Sequence, residues 1–169
     1  MRYFAAFLAL SFFSCTEHVP PHAPVGGKFS QEDLQASQNR TKQLRDLEKA
    51  QIEEWIAAQE EVFFVTPYGY WTNDADLFKN NKKADGEAVS FSYEIYDFDL
   101  VKLYDEPVLR KQQVFGRFEE LKPIENALRY LQKGETVKLL IPSTLAYGTS
   151  GDGDRITNDL PIIIQLKML

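Results

Sequence analysis

The chain has 169 residues, with 19 Lys and Arg against 25 Asp and Glu, for a formal charge of −6. That balance argues against electrostatic attachment to nucleic acid, and a single cysteine excludes an intrachain disulfide. At 44% hydrophobic and 13% aromatic residues, one domain can build its own core without a metal or a cross-link.

Residues 1–14 read as a targeting segment. Arg2 supplies a minimal positive start, and the apolar run from Tyr3 to Phe13 suits a secretory signal but is too short to span a bilayer. Cys15 follows Phe12-Phe13-Ser14 and sits where a bacterial lipoprotein signal places its acylated cysteine. The other reading is an ordinary signal peptide cleaved nearby. Residues 15–29 form a tether, since Pro20, Pro21, Pro24, Gly26 and Gly27 leave little to pack. His18 and His22 lie in this tether, but its prolines prevent the helix that would aim both at one metal.

Ser30 is a good N-cap, with Asp33 three residues on, and predicts a helical segment over 30–60 that is free of Pro and Gly. Leu44, Leu47, Ile52, Trp55 and Ile56 give it a narrow apolar stripe. That stripe fits a solvated helix whose C-terminal half docks on the domain, or one that binds a partner or a second copy. Val62–Val65 and Tyr68–Thr72 read as two short strands broken at Pro67, and 73–87 as a polar loop. Val89, Phe91, Tyr93 and Ile95 alternate with polar residues, as a half-buried strand does. Leu100–Tyr104 and Gln113–Arg117 are shorter strand candidates.

Ile124, Ala127, Leu128 and Leu131 follow helical spacing, with Pro123 near the first position, Lys133 near the last turn and Gly134 just beyond. Val137, Leu139 and Ile141, then Ile162, Ile164, Leu166 and Met168, alternate in two closing strands. Many strands and one short amphipathic helix predict an α+β fold, an antiparallel sheet wrapped over that helix.

The order of these pieces resembles the FKBP-type peptidyl-prolyl isomerases. The strand VSFSY resembles the family's first long strand, LYDE its Phe-Asp motif, ELKPIENALRYLQKGE its pocket floor and helix, and IPSTLAYG the loop that carries its substrate-facing tyrosine. The likeness covers roughly 61–169 and is strongest over 121–169. The long charged helix, the GYW segment and the lipoprotein signal resemble the gliding-motility-associated bacterial lipoproteins within that family.

The resemblance implies that Tyr147 donates a hydrogen bond to the substrate backbone. It implies that Tyr93, Tyr104, Leu121, Ile124, Ile156 and Ile164 enclose the proline ring, and that Asp105 holds Tyr93 in place. It further implies no cofactor and no metal, proline-containing polypeptide clients, and a lipid anchor on Cys15 at the cell envelope; Thr16 stands where an inner-membrane lipoprotein commonly has aspartate, which points to the outer membrane, facing the periplasm. Departures from the pattern are Ile156-Thr157-Asn158 where Ile-Pro-Pro is common, Arg155 at a usually small position and Glu120 at a usually aliphatic one.

Taken singly, each of these residues has a plainer reading. Tyr93, Ile124, Ile156 and Ile164 suit any core, Asp105 suits a turn, and Tyr147 suits a packed loop. No serine stands in a nucleophile-elbow context, and both histidines lie in the tether. The run TSGDGDRITND hints at calcium but lacks the twelfth-position glutamate and flanking helices of an EF-hand. It reads instead as a turn-rich flap. Three functions follow: an isomerase that helps envelope or surface proteins fold, a catalytically weak binding module of the same fold in a membrane-associated complex, or a purely structural lipoprotein.

Overall fold

The computed structural model describes residues 30–169; the signal segment, Cys15 and the tether lie outside the described residues. Helix α1 (Gln31–Ala57) begins where Ser30 caps it. The Ser30 hydroxyl accepts from the Asp33 amide at 3.1 Å while the Asp33 carboxylate accepts from the Ser30 amide at 3.2 Å. This reciprocal cap satisfies two otherwise unpaired donors and contributes about 1 kcal/mol.

Six strands follow: β1 (Phe64–Val65), β2 (Trp71–Thr72), β3 (Ala88–Tyr96), β4 (Val108–Val114), β5 (Thr136–Ile141) and β6 (Ile162–Met168). They form one antiparallel sheet in the order β1-β2-β5-β6-β3-β4. Helix α2 (Lys122–Leu128) lies between β4 and β5 in sequence. The fold is thus the α+β arrangement expected from the pattern.

Alternation divides the apolar residues between the two faces of this sheet. Phe91, Tyr93 and Ile95 of β3, Val137, Leu139 and Ile141 of β5, and Ile162, Ile164 and Leu166 of β6 face α2 and form the main core with Ile124, Ala127 and Leu128. The opposite face presents Trp71, Leu140 and Ile163, which pack with Phe63 and with Ile52 of α1. Leu140 and Ile163 are therefore buried although they fall out of phase with their neighbours, because α1 covers the second face.

Only the last part of α1 docks. Ile52 is its one fully buried residue, Trp55 and Ile56 pack beside it, and Leu34, Leu44 and Leu47 stay exposed. Polar contacts fix the docking: the Trp55 indole donates to the Phe98 carbonyl at 2.6 Å, and Glu48 accepts from the Ser143 amide at 2.8 Å. The same carboxylate therefore orients the start of the segment that leads to Tyr147.

Three expectations need correction. Residues 100–104 are not a strand, and only a single bridge joins Tyr96 to Lys102. The Asp97 carboxylate accepts from the amides of Asp99 and Val101 and folds this stretch into a turn, with Leu100 at φ 62°. The strand expected over 113–117 begins earlier, at Val108, and ends at Val114, because Phe115-Gly116 turns back with Gly116 at φ 86°. Helix α2 stops at Leu128, so Leu131 reaches the core from the turn after it, not from a third helical turn.

Candidate functional site

Tyr93 sits at the middle of β3, opposite Val108 on one side and Leu166 on the other. Its ring belongs to a column of parallel aromatics. Phe91 stacks on Tyr93 with centroids 6.2 Å apart, Phe118 on Phe91 at 5.6 Å, and Phe115 on Phe118 at 5.1 Å. The Arg129 guanidinium closes the column 4.9 Å from the Phe115 centroid. Offset stacks of this kind add about 0.5–1.5 kcal/mol per pair beyond burial, and they leave the Tyr93 ring little freedom to tilt.

The Tyr93 hydroxyl donates to Glu120 at 2.6 Å. Glu120 lies in the turn before α2, and its other oxygen accepts from Nε of Arg110 on β4. Burial, then the bond to Glu120, pushes the Tyr93 phenol well above its usual pKa, so it remains a neutral donor.

Tyr147 stands between two short 3-10 turns, Ser143–Leu145 and Gly148–Ser150. It is half-buried against the main core. Burial raises its pKa, the Asp152 and Glu120 carboxylates raise it further, and Arg110 opposes them. Tyr147 in turn contributes to the upward shift of Tyr93. The two phenols therefore share one electrostatic neighbourhood with Glu120 and Arg110. Among the described residues, the Tyr147 hydroxyl has no hydrogen-bond partner while remaining reachable by solvent.

The third phenol, Tyr104, donates to Asp152. Burial first, then this bond, raises its pKa. For Asp152, burial pushes the pKa up, but the bonds from Tyr104 and from the amides of Asp154 and Ile156 outweigh it and hold it below the usual value. Asp152 thus serves as the hydrogen-bond hub of the flap over 148–160; its acidic pattern organises a turn. Arg155 pins the flap from above, with Nη1 donating to the Leu103 carbonyl at 2.9 Å and its guanidinium 5.7 Å from the Tyr104 ring centroid.

Tyr93, Ile124, Ile156 and Ile164 lie together in the main core, and Tyr104, Leu121 and Tyr147 pack on its edge. Ile124 and Ile164 are 0% exposed and Ile156 is 2% exposed, and Tyr93 is also buried, so in this conformation the accessible parts are Tyr104, Tyr147 and Leu121. Asp105 is not brought into the cluster. Its side chain is 87% exposed and, among the described residues, bonds only to Arg155, at 3.4 Å. The role expected of it at Tyr93 falls to Glu120, because the turn over 97–104 directs Asp105 outward while Glu120 comes up beneath β3. Cys15 lies outside the described residues.

Sequence reasoning missed Glu120, Arg110 and Asp152 as members of this group. The available signal was an acid at a position where an aliphatic residue is usual, together with an arginine in the strand VLRKQQV. Several concavities lie apart from the cluster. One of about 370 Å³ is lined by Tyr68, Tyr70, Lys122, Asn126, Arg129 and Leu145, and one of about 220 Å³ lies beside α1 between Trp55, Phe63, Tyr96 and Ile163; further grooves of about 490 and 360 Å³ run along the N-terminal half of α1 and between α1 and Tyr68, Trp71 and Leu145.

No family model matches the sequence, and no curated protein matches it. Among solved structures, the chain is similar to a peptidyl-prolyl cis-trans isomerase from Pseudomonas syringae pv. tomato, at 19% identity and a TM-score of 0.53 over 76% of this chain and 93% of that one. It is similar to AtFKBP13 at 18% identity and 0.50, over 63% and 95%. It is also similar to FkpA from Escherichia coli at 20% identity and 0.53, over 84% and 73%. Such identities speak to architecture: this chain has an FKBP-like α+β fold, with Tyr104 and Tyr147 packed on the main core that holds Tyr93.

Proposed function

We propose that the protein is a peptidyl-prolyl cis-trans isomerase, acting on proline-containing segments of polypeptide clients at the cluster of Tyr93, Tyr104 and Tyr147. The observation that carries this reading is the half-buried Tyr147 phenol, which has no hydrogen-bond acceptor among the described residues and packs against the apolar core. The fold likeness to named isomerases supports it.

The chemistry needs no nucleophile. An X–Pro amide prefers trans by only about 0.5–1 kcal/mol, yet a barrier of about 18–20 kcal/mol separates its isomers. The barrier is resonance lost on twisting. A planar amide is charge-separated and a twisted one is less so, hence an apolar surface favours the twisted form. Each 1.36 kcal/mol of such preference speeds the reaction about tenfold. Tyr147 supplies a donor to the backbone of the bound segment, which holds it still while the bond turns. Leu121 and the exposed parts of Tyr104 and Tyr147 contact the ring.

The proposal extends to place. Lipidation of Cys15 would tether the domain to a membrane, facing the periplasm, where it assists envelope or surface proteins and components of a gliding or secretion machine.

A second reading rests on a specific observation. Ile124 and Ile164 of the core and Ile156 of the flap are all buried, which suits a module that grips a prolyl segment at its rim with little turnover. A protease-coupled assay on a short Xaa-Pro peptide separates the two. Wild-type turnover that falls about three- to tenfold in Tyr147→Phe, the worth of one hydrogen bond, supports the enzyme. Peptide binding with no acceleration of isomerisation rejects it in favour of the module.

A further inference from the structure

Three features make Glu120 more than a surface acid. Its side chain is 12% exposed, it accepts from the buried Tyr93 hydroxyl at 2.6 Å, and Arg110 grips its second oxygen from the neighbouring strand. A carboxylate at that depth is costly unless both oxygens are partnered, and here both are. The three residues come from different places: β3, β4 and the turn that enters α2. Their junction therefore ties the pocket-floor segment to the sheet at the point where Tyr93 meets the apolar floor.

We propose that Glu120 is the positioning residue for Tyr93, with Arg110 as its brace; the proposal rests on the prolyl-segment reading of the site. The aromatic column restrains the tilt of the Tyr93 ring, whereas Glu120 fixes the hydroxyl end. Removing the acceptor leaves a largely buried phenol with no partner, and it must turn to find one. The ring edge that would meet a bound proline moves with it. Asp105 cannot substitute, since it faces solvent beside Arg155. Glu120 acts through Tyr93 and need not touch the substrate.

The test has two readouts. The first is the 13Cζ resonance of Tyr93 in tyrosine-labelled protein, assigned with Tyr93→Phe. Glu120→Ala is expected to shift it strongly, Glu120→Gln to shift it little because the amide oxygen still accepts, and Asp105→Asn to leave it in place. A Tyr93 signal that answers to Asp105→Asn and ignores Glu120→Ala overturns the proposal. The second readout is turnover of the Xaa-Pro peptide per folded molecule. Glu120→Ala is expected to lose about tenfold in kcat/KM, chiefly in kcat, with Glu120→Gln retaining most of it. The double variant Tyr93→Phe/Glu120→Ala is expected to be no worse than Tyr93→Phe alone. Additive losses, or a lowered urea midpoint with unchanged turnover, assign Glu120 a purely structural role and overturn the proposal. If the wild type binds a prolyl peptide without turning it over, the enzyme reading fails by itself. The same variants are then compared by peptide affinity, where an unchanged Kd in Glu120→Ala overturns the positioning role and a tenfold weakening upholds it.

Discussion

Replacing Ile52 with alanine isolates the energetics of α1 docking. Ile52 is 1% exposed and is the only fully buried residue of that helix. Truncation removes three carbons at about 0.8 kcal/mol each, or roughly 2.4 kcal/mol of transfer free energy. The hole left between Phe63, Trp71, Leu140 and Ile163 adds to this, and Ile→Ala changes in cores cost about 2–5 kcal/mol. Taking about 3 kcal/mol, the docked population falls roughly hundredfold relative to the undocked one. The chain has two tryptophans, and both Trp55 and Trp71 lie in this patch. Tryptophan emission thus reports docking, while far-UV circular dichroism reports the whole fold. In Ile52→Ala, the emission transition should move to much lower urea and separate from the dichroism transition. Coincident transitions at the wild-type midpoint would show that the patch contributes nothing, and the reasoning fails.

Glu125→Gln probes a buried ionic network. Burial pushes the Glu125 carboxyl up, but Arg129, the Gly116 amide and Lys122 outweigh it and hold the pKa below the ordinary 4.5. A folded value below the unfolded one gives stability that is present above pH 4.5 and lost as pH falls through the folded value. The variant should be less stable at neutral pH, by about 1–3 kcal/mol, with a flatter acid limb in urea midpoints taken across that window; an unchanged limb refutes this. Gly151 and Gly153 both have positive φ, 64° and 81°, but a Cβ at Gly151 would lie 2.2 Å from the Ile156 carbonyl oxygen, whereas one at Gly153 meets nothing within 4 Å. Gly151→Ala should therefore lower the melting temperature far more than Gly153→Ala, and equal losses refute the flap geometry. Arg155 is about half exposed, so Arg155→Ala should change stability by less than about 1 kcal/mol. It should nonetheless accelerate amide hydrogen exchange over 150–157, and unaltered exchange there would show that Arg155 does not pin the flap.

The period-two and helical patterns made β3, β5, β6 and α2 readable in advance, because a sheet with α2 on one face writes its burial directly into alternation. The same logic hid the second face. Leu140 and Ile163 break phase, and only the position of α1 explains them. The stretch over 100–104 misled because its apolar residues suit a strand, while the deciding feature is a single carboxylate, Asp97, binding backbone amides two and four residues on. That Tyr104 and Tyr147 pack on the core that holds Tyr93 was legible through motif order. The exchange of Asp105 for Glu120 was not. Which of two acids reaches a phenol depends on the path of the turn between β3 and β4 and of the turn before α2, and neither path is encoded in spacing.

The partial docking of α1 has a mechanical consequence. Its last ten or so residues grip the domain over about 15 Å, and the remaining 17 or so project about 25 Å beyond, at 1.5 Å per residue. Whatever joins Ser30 from the N-terminal side therefore works at the tip of a lever whose fulcrum is Ile52. A sideways load there is amplified into torque that pries Trp55 from the sheet, whereas a load along the axis shears the patch evenly. The Glu48 contact to the Ser143 amide lies where the arm leaves the sheet, so leverage at the tip is felt first by the segment that carries Tyr147.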